Sequence, residues 1–182
     1  LAGNCLLKLQ HFDLALEQFD AALAIEPDDK PSLEKRAVCL GRLGRHEQAR
    51  ELVRSLTERH PLDAETWALA GRVEKVHWIS RWRDAALTPE QMREAAAAEL
   101  ASLEEAITPY RQAFIAEPSH HYSGINALTL QLLLRHLGGE ASPTLIDNLA
   151  GGVLWAALSA QQREPKDYWA RASFAELCLL LN

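Results

Sequence analysis

The stretch with the most chemical potential is His120-His121-Tyr122-Ser123. Imidazoles beside hydroxyls can relay protons in general acid–base work, and paired imidazoles can hold a metal. A zinc site, however, pairs histidines at helical spacing with a cysteine or a carboxylate, whereas His120 and His121 are adjacent. Their residue types read instead as a loop and helix start, with Ser119 or His120 near the cap. An enzyme built on His120, His121 or Tyr122 would need a concave pocket and a shifted titration there. The three cysteines, Cys5, Cys39 and Cys178, make neither a disulfide framework nor a zinc pattern, which favours a reducing, cytoplasmic setting. Cys5 and Cys39 are expected to be small buried fillers. No glycine-rich phosphate loop, nucleophile elbow or one-faced carboxylate pair is present. The expectation is a non-enzymatic protein with no cofactor and no metal.

Charge narrows the partners. Nineteen Lys plus Arg against 25 Asp plus Glu give a net charge of -6, which removes the electrostatic footprint that non-specific nucleic-acid binding needs. No apolar run approaches the ~20 residues that span a bilayer. Neither nucleic acid nor membrane is expected as a partner. The chain opens at Leu1 inside an apolar pattern, as expected of a piece of a longer protein with neighbouring domains.

The elements that must position any functional residue recur with a period. Pro27 and Pro61 are 34 residues apart, and in the same frame Gly3 matches Ala37, Cys5 matches Cys39, Ala15 matches Ala49, and Phe19 matches Val53. Trp67 and Gly71 open a third unit aligned with Leu33 and Ala37. Each unit reads as two helices joined by a tight turn. Small residues at Gly3, Ala37, Gly71, Ala15 and Ala49 let the two backbones approach, while Leu6, Leu40, Phe19 and Val53 fill the space beside them. Proline cannot continue a helix, so it closes each unit.

This arrangement resembles the tetratricopeptide repeat, whose pattern of Trp, Leu-Gly, Tyr, Ala, Phe, Ala and Pro is met in part by Gly3, Ala15, Phe19, Ala22, Pro27, Ala37, Gly44, Ala49, Pro61, Trp67 and Gly71. Arg36 and Glu74 depart from it. The resemblance implies an all-α, right-handed superhelix of antiparallel helix pairs. Residues 1–61 would form two regular repeats and 62–118 a third with an insertion of about 23 residues. A divergent fourth pair would cover 119–165, and 166–182 would hold the truncated first helix of a fifth.

The insertion has its own signals. Val73 to Asp84, carrying Trp78 and Trp82 one turn apart, lengthens a first helix, and the tryptophans are expected to pack against the inserted helix. Thr88, Pro89 and Gln91 form a helix start with a capping box. Pro109 is expected to end or kink that helix. From Ser119 to Gln162 only Arg135, Glu140 and Asp147 are charged, too few for two helices each with a wet face. Some cover, from a neighbouring domain or a second copy, is the alternative reading. The Gly151-Gly152 pair in the Leu145–Leu158 helix predicts close backbone approach.

In the second half, Gly71-Arg72-x-x-Lys75, Ala106-Ile107-x-x-Tyr110-x-x-Ala113-Phe114, Pro118, Tyr122-Ser123-Gly124-Ile125-Asn126-Ala127 and Tyr168-Trp169 look like the TRAFs-binding, divergent tetratricopeptide region of the apoptosis signal-regulating kinases and its bacterial relatives. That resemblance implies a regulatory scaffold without chemistry. It also implies a concave groove lined by first helices: Asn4 and Lys8, then Glu34, Val38 and Arg42, then Ala68, Arg72 and Lys75, then Tyr122, Ile125 and Thr129. Lys8, Arg42, Arg72 and Lys75 would make a basic strip suited to a protein or acidic peptide. The carboxylate clamp of chaperone-binding repeats matches at Asn4 alone, with Lys35, Glu65 and Leu69 at its other positions, so a chaperone C-terminus is not the expected ligand.

Overall fold

A computed structural model describes residues 2–181, and every regular element among them is a helix. In order these are α1 (Ala2–Lys8), α2 (Phe12–Ile25), α3 (Lys30–Arg42), α4 (His46–Arg59), α5 (Ala64–Trp82), α6 (Pro89–Ala97), α7 (Leu100–Ala116), α8 (His121–His136), α9 (Pro143–Arg163) and α10 (Tyr168–Leu180). They form an all-α right-handed superhelix of paired helices: α1 with α2, α3 with α4, α5 with α7, α8 with α9, and α10 against both α8 and α9.

The small residues sit where neighbouring helices touch. Ala15, Ala37 and Ala49 are fully buried. A Cβ added at Gly3 would lie 3.0 Å from the Phe19 ring, and one at Gly71 2.7 Å from the Tyr110 ring. Starts and turns recur at the same spacing. Asp29 and Asp63, 34 residues apart, cap α3 and α5 by accepting from the backbone N–H groups of Ser32 (3.0 Å) and Thr66 (2.9 Å). Past α3, Gly44 takes φ 73°, and the Arg45 N–H reaches the Leu40 carbonyl at 2.9 Å. Gln10 holds the same turn position one repeat earlier at φ 62° without glycine's freedom.

Two apolar cores share α5. Leu69, Ala70 and Val73 pack with α2, α3 and α4, whereas Trp78 joins α6, α7, α8, α9 and α10 around Leu103, Tyr110, Leu128 and Val153. Trp78 is 3% exposed, with the Trp82 ring 5.3 Å away and Ala96 and Leu100 in the same cluster, so the pair serves packing. The capping box at Thr88 and Gln91 is present.

Three expectations are corrected. The chain turns at Ala98–Glu99, and α7 runs through Pro109 unbroken. Burial of Leu103, Ala106, Ile107, Tyr110 and Ala113 outweighs the roughly 3 kcal/mol that an interior proline costs. Cys39 is buried but Cys5 is exposed, because α1 has neighbours on one side only. Gly152 does allow close approach, 3.0 Å from its would-be Cβ to the Phe114 ring, yet nothing lies within 4 Å of one at Gly151.

The two departures from the repeat pattern are paired. The Arg36 Nε donates to Asp20 at 2.6 Å, and the Arg50 Nε donates to Glu74 at 2.7 Å. Arg50 also reaches Glu105 at 2.8 Å, which ties α4 to α5 and α7. Burial pushes the Glu74 carboxyl above its usual value, even against the pull of the Arg50 guanidinium.

Candidate binding groove

First helices α3, α5 and α8 enclose a cavity of about 110 Å³. Glu34, Lys35 and Val38 on successive turns of α3 face Glu65, Ala68, Leu69 and Arg72 of α5, and Tyr122 of α8 closes one side. Spacings of three and four residues put these side chains on one stripe of each helix. Glu34 is already engaged by Lys30 (3.1 Å) and the Thr66 hydroxyl (3.4 Å). Lys35 and Arg72 have no hydrogen bond or ion pair among the described residues.

The histidine stretch lies at the start of α8. His120 is the N-cap residue, with its Nδ1 2.8 Å from the Ser123 Oγ and its Nε2 3.2 Å from Glu65. Glutamate, histidine and serine are thus joined in the order of a hydrolase triad. Ser123 is fully buried, however, so no substrate carbonyl can reach its hydroxyl. What the array does is pin the start of α8 to α5. His121 pins the same point to α10, its Nδ1 3.0 Å from the Ser173 hydroxyl and its Nε2 3.9 Å from Asp167. Burial lowers the His121 pKa against the attraction of Asp167, which favours the neutral ring at neutral pH. No group of three metal-ligating side chains occurs among the described residues.

Of the residues expected in the groove, Glu34, Val38, Ala68, Arg72 and Tyr122 meet at this cavity. The others lie elsewhere. Asn4 lines a separate hollow beside Lys35, and Lys8 is exposed at the end of α1. The Arg42 guanidinium sits 5.9 Å over the Phe12 ring. Lys75 is drawn inward, donating to the Asn126 Oδ1 at 2.6 Å and lying 5.5 Å over the Tyr110 ring, and burial lowers its pKa. Ile125 belongs to the core at 2% exposure, and Thr129 donates to Glu176 at 2.7 Å. The cations at the cavity are therefore Arg72 and Lys35. Glu65 and Leu69 also line it, although their spacing pointed only to unfulfilled clamp positions.

A larger cavity of about 610 Å³ shares the wall formed by Glu65, Arg72 and Tyr122 and continues past the histidines to Arg163 of α9 and Trp169 of α10. Sequence reading missed Arg163 and Trp169. Their one signal was the Tyr168-Trp169 pair at the start of a helix, because no periodicity links residue 163 to residue 72.

Residues 11–131 match the model of the family described as Tetratricopeptide Repeats-Sensor, well over half of the chain. The chain belongs to that family. Among solved structures, this Tetratricopeptide Repeats-Sensor chain is similar to TTC0263, a thermophilic TPR protein in Thermus thermophilus. Identity is 20% and the TM-score 0.56, with 98% of this chain and 96% of that chain covered. The likeness shows a shared fold. A second match is the TPR2AB-domain:pHSP90-complex of yeast Sti1, at 15% identity and TM-score 0.35, covering 97% and 95%. No curated protein matches the sequence significantly. Among the described residues, no helix is long and apolar enough to cross a membrane.

Proposed function

We propose that this chain is a cytoplasmic regulatory interaction module that captures a protein or acidic peptide between α3, α5 and α8, acting on neighbouring domains and doing no chemistry of its own. One observation carries the reading. At the shared cavity Glu34 and Glu65 are already bonded within the chain, whereas Lys35 and Arg72 are not. Exposed cations with no partner among the described residues, beside carboxylates that have one, favour an acidic segment through charge-assisted hydrogen bonds. The resemblance of the second half to the TRAFs-binding region of the apoptosis signal-regulating kinases supports a regulatory role. The test is fluorescence anisotropy with a labelled glutamate-rich peptide. Lys35→Glu with Arg72→Glu should weaken capture tenfold or more, about the worth of losing one charged hydrogen bond, with unchanged circular dichroism. Equal capture by the double variant rejects the groove.

A second reading rests on α9, whose outer face exposes Leu154, Trp155 and Leu158, the tryptophan at 76%. Such a stripe suits docking on a neighbouring domain or a second copy. Light scattering of wild type and Trp155→Glu separates the cases: a concentration-dependent mass rise lost in the variant supports self-association, and a monomer in both removes it.

A further inference from the structure

The larger cavity differs from the peptide groove in size and in chemistry. Its volume of about 610 Å³ falls in the range of roughly 300–1,000 Å³ typical of small-molecule sites, whereas about 110 Å³ accommodates little more than a side chain.

The three carboxylates around it keep their charge, but each already accepts a hydrogen bond within the chain. Glu65 holds the His120 Nε2 at 3.2 Å, and Glu117 accepts from the Ser119 hydroxyl at 2.7 Å. Asp167 caps α10 by accepting from the Trp169 and Ala170 N–H groups at 2.9 and 3.1 Å. The guanidiniums of Arg72 and Arg163 have no hydrogen bond or ion pair among the described residues, and each offers five donors in a fixed fork. The start of α8 also borders the cavity without a side-chain cap, so its positive end adds to the attraction for an anion.

An aromatic surface completes the cavity. Trp169 is 67% exposed and stands edge-on to Tyr168, with centroids 5.1 Å apart, and Tyr122 also lines the cavity. An indole left this bare at the mouth of a recess gains most by covering itself with a second flat ring.

We infer that this recess binds a small anion carrying a planar ring, with the anionic group on Arg163 and Arg72 and the ring against Trp169. The inferred site shares Arg72 with the peptide groove and differs from it in Arg163 and Trp169, which take no part in that groove.

The test is calorimetric titration of the whole chain with phenyl phosphate. Saturable binding is expected, about tenfold or more tighter than for inorganic phosphate or phenol, since neither alone supplies both contacts. Arg163→Gln should weaken it about tenfold, the loss of one charged hydrogen bond. Trp169→Ala should weaken it roughly three- to tenfold through the lost ring contact. Lys35→Glu should leave it unchanged. Both recess residues are exposed, so the variants should keep the wild-type circular dichroism. Binding of inorganic phosphate as tight as phenyl phosphate, no saturation below about 10 mM, or equal affinity in both recess variants would overturn the inference. Competition with a phosphotyrosine peptide identifies the source: tighter binding of the peptide marks a protein-borne group, and weaker or equal binding a free molecule. Glutamate-rich peptide capture that persists in Arg163→Gln keeps the two proposals separable.

Discussion

Replacing Gly71 with alanine tests the contact on which the third helix pair depends. The new Cβ would sit 2.7, 2.7 and 2.9 Å from three carbons of the Tyr110 ring. Carbon atoms rest at about 3.5–4 Å, so the ring or the helix must retreat by roughly 1 Å. Tyr110 is fully buried, so its ring can retreat only by displacing its neighbours. Overpacking of this kind costs about 1–3 kcal/mol, while alanine in a helix interior returns up to about 1 kcal/mol. Gly151 supplies the control, since it also lies within a helix but an added Cβ meets nothing within 4 Å. Gly151→Ala therefore keeps the propensity gain and omits the clash. The gain cancels between the two variants, leaving a stability gap of about 1–3 kcal/mol. At roughly 2–4 °C per kcal/mol for a chain of this size, thermal midpoints should differ by about 2–12 °C, with Gly151→Ala the higher. Thermal melts and urea titrations followed by far-ultraviolet circular dichroism measure the gap. Coincident midpoints would refute the idea that Gly71 is there to admit the Tyr110 ring.

Two further outcomes follow from strain and charge. Gln10→Gly relieves a left-handed residue that costs about 1 kcal/mol, so the urea midpoint should rise; a fall would show that the Gln10 side chain matters more than its backbone. Arg50→Met leaves the half-buried Glu74 without its partner and should cost about 3 kcal/mol at pH 7. Burial already raises the Glu74 pKa, and losing Arg50 raises it further. The folded chain then binds the proton more tightly than the unfolded one. The penalty is therefore present at neutral pH and shrinks as pH falls through the raised folded value toward the ordinary carboxylate range. A penalty unchanged between pH 7 and pH 4.5 would count against this pairing.

The repeat was legible because it rests on residue size and backbone geometry at fixed spacing. Gly71 and Ala37 must be small, Asp29 and Asp63 must cap, and Gly44 must turn, whatever surrounds them. The helix break at Ala98–Glu99 was not legible, because no proline or glycine marks it. Pro109, which is a strong local signal, was overridden by the burial of its helix against α5. Much of the cavity lining could be placed by helical spacing, since Glu34, Val38, Ala68, Arg72 and Tyr122 lie on stripes of regular helices. Lys75 shows the limit of that approach: its position on α5 says nothing about Asn126, which draws its ammonium inward from 51 residues away. Arg163 and Trp169 come together with Arg72 only through the stacking of two helix pairs and α10, a relation with no counterpart in linear order.

Helix α5 belongs to both cores, its first turns gripped by the amino-terminal pairs and its last turns by the tryptophan-centred cluster. A rod clamped at both ends transmits torque. A ligand held beside Arg72, midway along that rod, would brace both halves in their paired arrangement, and amide exchange at Leu40 and Leu128 would slow together even though neither residue lines the groove or the recess.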